Sequence, residues 1–233
     1  MQDMPTTPIA VLIALWLNAA RSGSVSASDA ANACETLIDQ LGYEFAIEPI
    51  APASYPMLDL VSLAMKGNVP VTVALPVFGD PAGVPAQVLS QVETDCGLVA
   101  IAKNMLLARS TSGSWRVFDT AHSIAFQDLN HSRTQFYETL SQATQLLAAA
   151  DLVGDSAAIE EELRNFKLLH LPPSLPSRNV EALENAARIR IVANMAMQST
   201  MAVASPSNDR KRIEILKTLD RQAREVLQAV SLG

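Results

Sequence analysis

Nine consecutive apolar residues, Ile9 to Leu17 (IAVLIALWL), constrain this chain more than any other stretch of it. A segment apolar on every side needs apolar surroundings on every side, either a protein core or a membrane. It falls well short of the roughly 20 residues that span a bilayer. The preceding MQDMPTTP carries Asp3 and no Lys or Arg, whereas a secretory leader opens on positive charge. A buried helix is therefore expected, with a signal or anchor as the alternative. Pro8 fits its first turn and Gly23 its stop.

With 233 residues, 49% of them hydrophobic, the chain has ample material for a core. Its formal net charge of -7 repels phosphate polymers, so no nucleic acid is expected as a partner. Cys34 and Cys96 stand far apart with no C-x-x-C or neighbouring histidine cluster, and both are expected as reduced, buried thiols. These features point to a soluble, acidic protein of the cytoplasm, with no membrane partner.

Alternating patterns then place strands among helices. Ser26-Ala-Ser-Asp29 reads as a capping box opening a helix that stops at Gly42. Tyr43 to Ile47 (YEFAI) alternates as a short strand ended by Pro49. From Pro56, MLDLVSLAMKG is a helix with Leu60, Leu63 and Ala64 on one face and Gly67 as its stop. Val69 to Val77 (VPVTVALPV) is apolar on both faces, as a covered strand is. Strand, helix and strand imply a crossover and a parallel pair. A short helix near Pro85 to Glu93 leads to two extended runs, Leu98 to Leu107 and Ser114 to Phe118, read as one hairpin across Ser110-Thr-Ser-Gly113.

Beyond Thr120 the periodicity is helical throughout. Ser132-x-x-Gln135 reads as a capping box, followed by Phe136, Leu140, Ala143, Leu147 and Ala150 at helical spacing. Gly154-Asp155-Ser156 opens a helix with Ile159, Leu163 and Phe166 inward. After LPPSLPS, two long helices, Arg178 to about Ala204 and Asp209 to about Ser231, should pair antiparallel, the second along Ile213, Leu216, Leu219, Ala223, Val226 and Val230. The expected fold is α/β, with α+β as the variant: a small mixed sheet of about four strands with flanking helices over residues 1–125, then an all-helical part over 126–233 packed on it.

Chemistry is harder to find. Gly79-Asp-Pro-Ala-Gly83 lacks the glycine spacing of a phosphate loop, yet follows a strand, where open sheets bind ligands. Gly79, Asp80 and Gly83 are thus candidate ligand residues, against a rigid turn in which Asp80 accepts backbone amides. Asp119-x-x-His122 and Asp128-x-x-His131 share a spacing that could serve a divalent metal, but Asp and His at turns and caps need none, and no metal or cofactor is expected. His170 reads as a cation near a helix C-terminus. No G-x-S-x-G, H-E-x-x-H or C-x-x-C occurs, and no catalytic residue is assigned.

Arg210, Lys211, Arg212, Lys217, Arg221 and Arg224 are interleaved with Asp209, Glu214, Asp220 and Glu225, and Asp220 to Arg224 is a favourable i,i+4 pair. A solvated, self-neutralising face is expected there. Met195, Met197 and Met201 suit an irregular core or a homodimer face.

Ala74 to Ala86 (ALPVFGDPAGVPA), with LWLNAARSGSVSASDA, DCGLVAI, SWRVF, AARIRIV and LDRQAREVL, resembles an uncharacterised family of actinobacterial proteins bearing a LALPxPGDPxGLPG-like segment. The matching positions are Leu75, Pro76, Gly79, Asp80, Pro81, Gly83 and Pro85, while Phe78 and Ala86 depart. The resemblance implies an organism group and no activity. Two functions remain open: a non-catalytic binding or assembly protein acting as an oligomer, and a small-molecule binder or enzyme using Gly79 to Gly83.

Overall fold

A computed structural model describes residues 7–40, 47–48, 56–149, 156–166, 168, 170–198 and 206–233. It divides the chain into two compact units. The first holds Met1–Phe126, Leu168–Asn179 and Val230–Gly233, and the second Gln127–Lys167 and Val180–Ala229.

The first unit is built around helix α1, Ile9–Arg21, none of whose side chains is exposed. Its apolar sequence demands neighbours all round, and it has them: α2 (Ala27–Gln40), α3 (Met57–Lys66) and the sheet strands β2 (Thr72–Ala74) and β3 (Leu98–Ala102). Gly23, at φ +76°, ends it as the sequence suggests. Ser26 caps α2 as expected, its Oγ accepting the Asp29 N–H at 3.0 Å and donating to the Asp29 carboxylate at 2.7 Å, so that one hydroxyl satisfies the Asp29 amide and holds its carboxylate.

The sheet is mixed and five-stranded, in the order β1-β5-β4-β3-β2, with β1 at Ile47–Glu48, β4 at Met105–Arg109 and β5 at Trp115–Asp119. Four strands run antiparallel to their neighbours, and β1 adds a two-residue parallel edge against β5. The parallel crossover pair expected from strand, helix and strand is absent: β1 and β2 lie at opposite edges. The centre of the sheet went instead to β3, β4 and β5, joined by tight turns that close with less loss of chain entropy than a crossover. The run Leu98 to Leu107 is likewise two strands rather than one, folded back at its polar pair Lys103-Asn104. Gly42 and residues 43–46 of the first expected strand lie outside the described residues.

Alternation divides the sheet into two apolar faces. On one, Ala74, Leu98, Ala100, Leu106, Ala108 and Phe118 are buried with Val84, Val88, Val92 and Ile124, from the segments around α4 (Ala86–Leu89) and from the chain after β5. The opposite face carries the buried Val73, Val99, Ile101, Leu107 and Trp115. On α3 the buried stripe is Met57, Leu60, Val61 and Ala64, at i, i+3, i+4 and i+7; Leu63, expected inside, falls off that stripe and is exposed.

The second unit contains α5 (Leu129–Ala149), α6 (Ser156–Asn165) and most of α7 (Ser177–Gln198) and α8 (Pro206–Val230). α7 and α8 pair antiparallel, since Arg190 reaches Asp220 while Arg212 reaches the carbonyl of Ala196. The expected capping box at Ser132 is replaced by Asp128, whose Oδ1 accepts the His131 N–H at 2.8 Å, the bond a helix N-cap makes. Asp128 starts the helix earlier and leaves Ser132 buried inside its first turn. The stripe of α8 is buried at Leu216, Leu219, Ala223, Val226 and Val230, with Ile213 half-buried. Ala150, Gly154, Asp155, Met201 and Ser205 lie outside the described residues.

Candidate functional site

The segment after β2 is shaped by prolines and glycines. Val77 and Asp80 exchange both backbone hydrogen bonds, Val77 N–H to the Asp80 carbonyl at 3.0 Å and Asp80 N–H to the Val77 carbonyl at 2.9 Å. Phe78 and Gly79 form the two-residue loop, and Gly79 sits at φ +85°, as the third position of a type II turn requires. Asp80 Oδ1 then accepts the Ala82 N–H at 3.1 Å, an Asx turn that carries the chain past Pro81.

Gly83 has a different duty. At φ +78° it lies against the chain following β5, and a Cβ there would stand 2.6 Å from the Ser123 carbonyl oxygen. Its carbonyl accepts the Ser123 N–H at 3.0 Å, so the two segments are clasped backbone to backbone. A Cβ on Gly79, by contrast, would meet nothing within 4 Å. Gly79, Asp80 and Gly83 thus come together as parts of one turn, with the Asp80 carboxylate directed at a backbone amide.

That turn presents Phe78 outward with its whole surface exposed, 107% of the reference value, beside Val77 at 37%. From the sequence, Phe78 stands out only as a departure from a family pattern. Its position between Val77 and Gly79, at a turn tip, was the available signal.

Asp119 accepts from the Asn104 side-chain amide at 2.8 Å. His122 Nε2 lies 2.7 Å from the Ala102 carbonyl, and its buried Nδ1 has no partner among the described residues. Asp128 is the cap of α5. Among the described residues no three His, Cys, Asp or Glu side chains are grouped to hold a metal. His170 lies beyond the end of α6; it is exposed, and its backbone carbonyl accepts Trp16 Nε1 at 2.8 Å.

The charged run of α8 departs from the solvated face expected of it. Arg210, Lys211, Lys217 and Arg221 are exposed, but Arg212, Asp220 and Arg224 are buried. Asp220 bridges two guanidinium groups, Arg190 Nε at 3.2 Å and Arg224 Nε at 2.9 Å. The i,i+4 spacing set up the pair, and the α7 partner covers it. Met195 and Met197 are half-buried.

Asn18 closes an apolar run and carries no motif, so the sequence gives it no role. In the structure its Nδ2 donates to the carbonyls of Val71, at 2.8 Å, and Ser231, at 2.7 Å, and its Oδ1 accepts the Val71 N–H at 3.0 Å. A lone amide in an all-buried helix must find such partners, which was the missed clue. Neither Cys34 nor Cys96 is in a disulfide, and both are buried. Burial pushes the Cys34 thiol well above its ordinary value of 9.0, with the neighbouring Glu35 charge adding to the rise, since both disfavour the thiolate.

These features define a two-unit α/β protein in which no described helix is long and apolar enough to cross a membrane. Residues 131–228 match the family described as Rv1486c-like protein, C-terminal domain. The match falls on the helical part and leaves Ala74 to Ala86 outside it. No curated protein and no solved structure matches the chain.

Proposed function

We propose that this chain is a non-catalytic binding or assembly protein that works within an oligomer or a complex. The observation that supports the reading is the turn itself. The groups that would hold a small ligand at Gly79 to Gly83 are engaged in shaping the backbone, with Asp80 on Ala82 N–H and Gly83 on Ser123. What the turn offers to the surroundings is an apolar side chain, Phe78. Anchors of this kind, large, apolar and held on a rigid support, dominate protein association because little conformational freedom is lost on binding.

Two measurements test the reading together. Sedimentation of the purified chain reports its mass, and a thermal-shift screen with nucleotides, cofactors, sugar phosphates and divalent ions reports small-molecule binding. The expected result is no shift with any of these compounds. A shift that Asp80→Asn abolishes, at unchanged intrinsic stability, would replace the proposal with a small-molecule site at Gly79 to Gly83.

A further inference from the structure

We draw no further inference here: the strongest candidate, the exposed ring of Phe78 at the tip of the turn after β2, carries none because nothing in the structure shows what covers it.

Discussion

Replacing Gly83 by alanine, beside the same replacement at Gly79, separates what the turn's backbone conformation costs from what its packing costs. Both glycines lie in the left-handed region, at φ +78° and +85°. Each alanine therefore carries the same conformational strain, on the order of 1 kcal/mol. At Gly79 nothing lies within 4 Å of the new Cβ, and the strain is the whole effect. At Gly83 the Cβ meets the Ser123 carbonyl oxygen at 2.6 Å, its carbon at 2.7 Å and the Ile124 nitrogen at 2.9 Å, all backbone atoms. A backbone cannot rotate away as a side chain can, so the chain after β5 must move. That movement lengthens the Ser123 N–H to Gly83 bond, worth about 1 kcal/mol. It also draws Ile124 out of the sheet-face core, where full burial of such a side chain is worth about 1.5–3 kcal/mol. Gly83→Ala should therefore cost on the order of 3–5 kcal/mol and Gly79→Ala on the order of 1 kcal/mol. Urea unfolding of the three proteins, read by Trp fluorescence and compared at fixed slope, supplies both numbers. If Gly83→Ala and Gly79→Ala agree within about 0.5 kcal/mol, the clasp between the two segments does not hold the turn, and the argument fails.

Asp220→Ala should destabilise by roughly 3–5 kcal/mol, because it leaves the buried Arg224 and the half-buried Arg190 without the carboxylate between them. A change below about 1 kcal/mol in denaturant unfolding would show the pair to be solvated after all. Asn18→Leu should cost roughly 2–4 kcal/mol, since the Val71 amide and carbonyl and the Ser231 carbonyl lose their buried partner; calorimetric melting indistinguishable from wild type would contradict this. For Cys34 the folded thiol holds its proton to a higher pH than the unfolded one, so above the ordinary value of 9.0 the unfolded chain binds fewer protons. Stability should then fall as pH rises, by at most about 1.4 kcal/mol per pH unit. Urea midpoints measured on wild type and Cys34→Ala across the ordinary thiol value check the sign: the decline should be shallower in the variant, and equal slopes would refute it.

Features that depend on neighbours a few residues away could be read directly from the chain. The buried α1 followed from Ile9 to Leu17, the cap of α2 from Ser26 and Asp29, and the helices α5 to α8 from the periodicity beyond Thr120. Turn chemistry at Gly79-Asp80 was legible for the same reason, because an aspartate bonds its own chain two residues on. Strand pairing was not legible. Periodicity marks a strand but not its partner, so β1 and β2, read as parallel neighbours, stand at opposite edges of the sheet. Asp220 and Arg224 show their spacing on one helix, while the Arg190 that completes them arrives from α7. Ser132 has a cap's sequence, but Asp128 takes the position first. The role of Gly83 depends on Ser123, far along the chain, and the outward ring of Phe78 on the absence of any described residue over it. Local bonds are written in local sequence; burial and contact at a distance are properties of the packed chain, and they settle which polar groups are structural and which side chains stay exposed.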